Sequence, residues 1–335
     1  MSDRGSRVGR LTLLPLTLVV ASILVPIASS GCRREPAVAT FDHPVRLGGL
    51  SVSPERLDRG AVGFTHYCRA CHGDAGDGAG PSALGLRPPP RDLRLGVYKF
   101  AAVAAGQLPN DADFRRIITG GLHGTAMLAW DLRQPELDDV IAYVKTFSPR
   151  WQSEVPGEAI TLAPDPWTGH EAAGIERGRR VYHGLAQCAV ACHPAYTTRA
   201  EIFAFAEELM KVRLEEFRAD LYAPVAKPSD FGLPILPPDF TFNLLRAGES
   251  IPDIARTIAS GVGGTAMPTW KNVLPDGDIW AMARYVSSLV ALRGTPAADQ
   301  LRTRLLAQPP FVPPPPPSPP VGARLSPIGA GPHRR

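Results

Sequence analysis

Two cysteine pairs, each with a histidine directly behind its second cysteine, constrain this chain of 335 residues more than any other feature. The first is Cys68-Arg69-Ala70-Cys71-His72. The second is Cys188-Ala189-Val190-Ala191-Cys192-His193, with one residue more between the cysteines. Their surroundings repeat as well. Gly60 and Phe64, four apart and so on one face of a helix, precede the first pair, and Gly178 and Tyr182 precede the second. "RPPPRDL" after the first pair has its echo in "LPPDF" (236–240) after the second. "NDADFRRIITGGLHGTAMLAW" is answered by "IPDIARTIASGVGGTAMPTW", and "LDDVIAYVKTF" by "DIWAMARYVSSL", which sets Tyr143 against Tyr285. A repeat in this order means two copies of one structural unit.

The spacing of the first pair carries chemistry. Two thiols on one turn can reach the two vinyl groups of a porphyrin, and the adjacent imidazole then falls under the iron, so C-x-x-C-H is a signature of covalent haem attachment. Zinc sites and redox dithiols also use close cysteines. Both leave the flanking histidine without a role, and zinc needs further ligands nearby. The second pair stands where the repeat requires the same site. A turn that bulges outward would still present both of its sulfurs, at the cost of slower attachment. The chain is therefore expected to carry two covalently attached haem c groups, one on Cys68 and Cys71 and one on Cys188 and Cys192.

Helix signals frame both sites. Ser53 as a cap, Pro54 in the first turn and Glu55 against the helix dipole predict a helix running into the first pair. Asn110 or Asp111 opens a second helix with Phe114, Ile117 and Ile118 at helical spacing, ended by Gly120-Gly121. A third starts near Pro135, its apolar stripe formed by Leu137, Val140, Ile141, Val144 and Phe147. Only the second unit contains the stretch 198–221, "TRAEIFAFAEELMKVRLEEFRADL", which reads as one long amphipathic helix. Packing over its own domain is favoured for it over docking a partner.

With these residues in view, each unit resembles a class I cytochrome c domain, over about 53–148 and 174–292, and the pair resembles a dihaem c-type cytochrome. The resemblance implies an all-α fold of two tandem domains. In each, an N-terminal helix leads into the attachment motif, and a C-terminal helix crosses it closely at a small residue packed by aromatics. Gly60 with Phe64 and Tyr143, and Gly178 with Tyr182 and Tyr285, match that arrangement. The resemblance further implies a methionine as sixth iron ligand. Met127 and Met267 each follow Gly-Thr-Ala and stand three before a tryptophan, Trp130 or Trp270, so the implied iron ligands are His72 with Met127 and His193 with Met267. Met210 and Met282 read as packing residues. His123 competes with Met127, but Val262 or Gly263 stands at its counterpart. His66 and His183 are expected on the surface. A proline carbonyl would orient each proximal imidazole, from Pro88, Pro89 or Pro90 in the first unit and Pro237 or Pro238 in the second. His/Met ligation raises the potential and fills both axial positions, which points to outer-sphere electron transfer.

The ends of the chain address location. A basic start (Arg4, Arg7, Arg10), an apolar run from Leu11 to Ala28 and "SSGC" ending at Cys32 form an export signal over 1–32. The small residues before Cys32 resemble a bacterial lipoprotein signal in which that cysteine is lipidated, although Ser29 replaces the usual Leu; an uncleaved membrane anchor is the alternative. Either implies a membrane-anchored protein in an oxidising, periplasmic space. Residues 33–52 and 149–173 read as linkers, and 293–335 as a Pro-rich disordered tail whose "PPFVPPPPPSPP" suits polyproline II. The net charge of +4, much of whose basic excess lies at the two ends, gives no ground for a nucleic-acid partner.

The leading reading is a dihaem carrier passing electrons between respiratory protein partners, free-standing or as the cytochrome subunit of a complex, with no catalytic residues. The rival class is enzymatic: a dihaem peroxidase, or a cytochrome fused to a dehydrogenase. A peroxidase needs an iron that can open, whereas both units offer Met. No second catalytic domain fits the remaining length, and no nucleophile–base constellation or phosphate loop is present. A third reading, a structural domain with a degenerate second site, requires that Cys188 and Cys192 fail to bind haem.

Overall fold

Two helix crossings, one in each half of the chain, position the two cysteine turns. The computed structural model describes residues 38–316, which belong to one compact unit. The export signal, Cys32 and the tail from 317 onward lie outside the described residues. The first half opens with a hairpin of β1 (Val45–Leu47) and β2 (Leu50–Val52), which an all-α reading did not foresee. Gly48 and Gly49 turn it, both at positive φ, as a tight hairpin requires. There follow α1 (Pro54–Tyr67), α2 (Arg69–His72), α3 (Asp111–Gly120), α4 (Gln134–Lys145) and the short α5 (Arg150–Ser153). The second half contains α6 (Glu171–Arg180), α7 (Cys188–Ala191), α8 (Arg199–Met210), α9 (Ile251–Ser260), α10 (Asp276–Val290) and α11 (Pro296–Leu306).

The sequence signals explain where helices begin. The Ser53 hydroxyl accepts from the Arg56 amide, with Pro54 in the first turn of α1. A reciprocal pairing of Asn110 and Asp113 caps α3, and Ser250 caps α9. The crossings need glycine. A Cβ on Gly60 would stand 2.1 Å from the Asp139 carbonyl oxygen of α4, and one on Gly178 would stand 2.0 Å from that of Ala281 in α10. Aromatic rings close around both contacts, with Phe64 and Tyr143 centred 5.4 Å apart and Tyr182 and Tyr285 5.7 Å apart.

Each crossing feeds its own core. Leu57, Phe64, Ile118, Val140, Ile141 and Trp151 are buried in the first, and Val181, Ile254, Ile279, Met282 and Val286 in the second. A fully buried side chain of this size contributes ~1.5–3 kcal/mol. Trp151 falls in what reads as a linker, yet it is 0% exposed, and its carbonyl holds the Gly48 amide at 2.6 Å.

Two expected elements differ. The stretch 198–221 is not one helix. It leaves the helical path at Lys211, whose φ of 59° is left-handed, because Leu214 and Phe217 then reach the second core and Arg218 turns inward. The chain beyond 292 is not all tail either: α11 starts at Pro296 and buries Leu305, and Phe311 packs on Phe203 and Phe217. Among the described residues no helix is long and apolar enough to cross a membrane.

Candidate functional site

In the first half, the end of α1 and the single turn of α2 put Cys68, Cys71 and His72 on the wall of a cavity of about 240 Å³. Met127 lies on the wall of the same cavity, with Phe64, Leu93, Phe114, Ile118 and Trp130 supplying apolar surface. The His72 ring is oriented from behind: its Nδ1 stands 3.1 Å from the carbonyl oxygen of Arg91, so Nδ1–H donates and Nε2 is the bare nitrogen. That acceptor follows directly on Pro88, Pro89 and Pro90, none of which serves. Burial lowers the His72 pKa and keeps the ring neutral, as a metal-ligating imidazole must be. Burial, then its neighbour Cys71, pushes the Cys68 thiol up to about 12. A thiol of that kind is a poor redox nucleophile. Among the described residues no group of three or more His, Cys, Asp or Glu side chains is placed to hold a metal ion.

The methionine loops of the two halves are built alike. After α3, Gly121 and Gly124 adopt φ of 67° and 67°; after α9, Gly261 and Gly264 adopt 73° and 69°. The Leu122 amide donates to the Met127 carbonyl at 2.8 Å, and Val262 to Met267 at 3.1 Å. In each loop a threonine hydroxyl, Thr125 or Thr265, bonds the carbonyl of the first residue and accepts the methionine amide at 3.1 or 3.2 Å. His123, the competing candidate, is exposed and outside the cavity lining.

The second cysteine turn absorbs its extra residues by widening. Between α6 and α7 the backbone makes a π-helical turn over Val181–Leu185, and Gln187 takes a left-handed φ of 52°. In the first half the His72 amide donates to the Cys68 carbonyl, four residues back, at 2.9 Å. In the second the His193 amide reaches the Cys188 carbonyl, five residues back, also at 2.9 Å. The His193 Nδ1 lies 3.2 Å from the Pro238 carbonyl oxygen, so of the two prolines open in the sequence it is Pro238 that serves. Burial lowers the His193 pKa to about 4 and raises that of Cys188 to about 12. Phe240 stacks on the His193 ring, and Cys188 and Met267 border the core cluster to which Phe240 belongs. The first four site residues thus share one cavity, and Cys188 and Met267 share the wall of one core.

Several residues at these sites escape sequence reasoning. Arg218, from the stretch peculiar to the second half, donates to the carbonyls of Ala189 and His193 in the wide turn and to those of Asp220, Leu221 and Ala223 in its own segment, at 2.7–3.3 Å. His183 is not on the surface but 0% exposed; it accepts the Tyr196 amide at Nε2 and donates from Nδ1 to the Arg179 carbonyl, so neither nitrogen is free. His66 is exposed, as expected. Lys99, Tyr98 and Arg246 line the first cavity, the last from the far half of the chain. No sequence signal marks Arg246, because its role depends on how the halves pack.

Comparison with known proteins follows this geometry. The family of cytochrome c oxidase, cbb3-type, subunit III matches residues 55–144, from the first turn of α1 to the last of α4. Among solved structures the chain resembles one from the reducing HAO-like protein complex of Kuenenia stuttgartiensis. The two share 28% identity with a TM-score of 0.54, over 69% of this chain and 96% of that one. No curated protein matches the chain.

Proposed function

We propose that this chain, a c-type cytochrome with covalently bound haem and a role in electron transfer, carries two haems and relays electrons between protein partners without substrate chemistry of its own. The observation that carries the reading is the doubled site: two cysteine turns closed by the same histidine-amide bond, each with a methionine loop of identical hydrogen bonding. A haem iron held between histidine and methionine supplies one-electron exchange with no bond made or broken. The residues present suit that group. In the first half two thiols, an imidazole with a bare Nε2 and a thioether face one apolar cavity. In the second, the Pro238 carbonyl fixes His193 in the same tautomer.

The span shared with the chain from the reducing HAO-like protein complex exceeds either half alone, which supports a two-unit architecture and a place in a protein complex. We further propose tethering at a membrane through Cys32 and residence in the periplasm, on the strength of the export signal over 1–32. A redox titration of purified holoprotein tests the function: two high-potential one-electron steps and slight peroxide turnover are expected. Rapid peroxide reduction would transfer the chain to the enzymes. Release of a Cys32→Ala variant from the membrane fraction tests the tether.

A further inference from the structure

Three cations stand on the wall of the first cavity: Arg91, Lys99 and, from the second half, Arg246. None has an ion-pair partner among the described residues, because the nearby carboxylates are taken. Asp92 pairs with Arg94 at 2.8 Å; Asp113, on the same wall, is held by Arg116 and by the amides of Ala102 and Asn110. Phe231, also from the second half, covers the face of the Arg91 guanidinium with its ring centroid 3.5 Å away, and lies 5.1 Å from the Lys99 ammonium. That stacking covers one face of the guanidinium and leaves its edge, where the N–H donors lie, for another ligand. The Tyr98 hydroxyl on the same wall is buried with no hydrogen-bond partner. Burial and the neighbouring cations push Lys99 down to about 8, the cost of gathering like charges with no anion between them.

We propose that Arg246 completes a carboxylate-binding site in the first half's cavity, with Lys99, Arg91 and the Tyr98 hydroxyl, and that it takes the acid groups of the porphyrin attached to Cys68 and Cys71. The assignment rests on the haem reading above. It follows from what shares the cavity: thiols, imidazole and thioether for the ring and its iron, and unpaired cations for the two carboxylates, the only charged groups on the rim of the ring. An acidic protein would need these charges outside, whereas they line the pocket. The consequence reaches across the chain. The second half, through Arg246 and through Phe231 on Arg91, sets the electrostatics of the first haem. Contacts between the halves hold both groups in place: the His123 amide donates to the Arg246 carbonyl at 3.0 Å, and the Gly263 amide to that of Lys99 at 3.1 Å. Positions 123 and 263 are equivalent in the repeat.

A cation beside the porphyrin acids disfavours the ferric state, which carries one more positive charge. The full-length holoprotein is compared as wild type, Arg246→Gln, Arg246→Lys and Lys99→Gln. Mass under denaturing conditions and the near-red methionine–iron band first establish attachment and ligation in each. In Arg246→Gln one of the two redox steps should shift about tenfold toward the ferric form, ~59 mV for one electron, and gain a dependence on pH as the acids lose their partner. The other step should hold, Lys99→Gln should move the same step, and Arg246→Lys should restore it. Two attached haems with neither step moved would overturn the carboxylate site while leaving the haem reading intact. A wild-type protein with no haem on Cys68 and Cys71 would overturn both.

Discussion

The backbone amide of His193 reaches the carbonyl of Cys188 across five residues at 2.9 Å, where His72 reaches Cys68 across four at the same distance. The bond closes the turn in both halves, so the extra residue changes its width and not its closure. Both sulfurs and the imidazole therefore leave one turn in either case. The expected outcome is two covalent haems per chain, retained in denatured protein and read by mass. Replacing Cys68 and Cys71 with Ala should remove one, and replacing Cys188 and Cys192 the other. A wild-type mass with a single haem would show that the wide turn is not used.

A widened turn leaves carbonyls without helical partners, and Arg218 takes up two of them, those of Ala189 and His193. Leaving such acceptors buried and unpaired costs about 1–3 kcal/mol each, with part recovered by relaxation. Arg218→Ala should destabilise the second half by about 2–3 kcal/mol in denaturant unfolding and lower its haem occupancy, with the haem on Cys68 and Cys71 unchanged. Lysine, a point donor without a planar fork, should rescue little. Equal loss of haem from both halves would show that Arg218 supports the fold at large and not this turn.

His183 predicts an acid limit on stability. Burial lowers its pKa from 6.5 to about 4, so the unfolded chain binds a proton that the folded chain refuses. The sign follows: the contribution is fully present above pH 6.5 and is lost as pH falls toward 4. A shift of this size corresponds to about 3 kcal/mol. Unfolding followed from pH 7 to pH 4 should show that decline in the second half, and His183→Gln should flatten it while lowering stability at neutral pH. An unchanged pH profile in the variant would assign the acid sensitivity elsewhere.

Much of this architecture is legible in the residues because local rules and tertiary packing agree there. Ser53, Asn110 and the glycines after α3 and α9 mark helix ends by their own chemistry, and Gly60 with Tyr143 announces a close crossing by its spacing within the repeat. What stays hidden is set by packing alone. In α11, "PAADQLRTRLL" has a weak apolar stripe, beside prolines that read as tail, and only the second core it meets makes Leu305 a buried residue. Lys211 breaks the insert where a helix pattern continues, because the core draws Leu214 and Phe217 inward. His183 looks like any polar residue before a cysteine until Tyr196 and Arg179 close on its two nitrogens.

The methionine loops carry the last prediction. Thr125 and Thr265 each accept the amide of the methionine two residues on, and the same methionine's carbonyl accepts from the residue that opens the loop. A backbone tied at both ends of so short a segment leaves the thioether little freedom, so it stands ready for a metal at no further ordering cost. Replacing Met127 or Met267 with Ala should leave covalent attachment intact, abolish that site's share of the near-red methionine–iron band, and lower its potential by removing a soft ligand. It should also open the iron to cyanide or carbon monoxide, which the wild type should resist. Thr125→Val and Thr265→Val should act in the same direction more weakly, by loosening the loop while keeping the ligand. Wild-type protein that binds cyanide readily and reduces peroxide fast, with one haem already high-spin, would show that one methionine is not a ligand and that the chain is an enzyme.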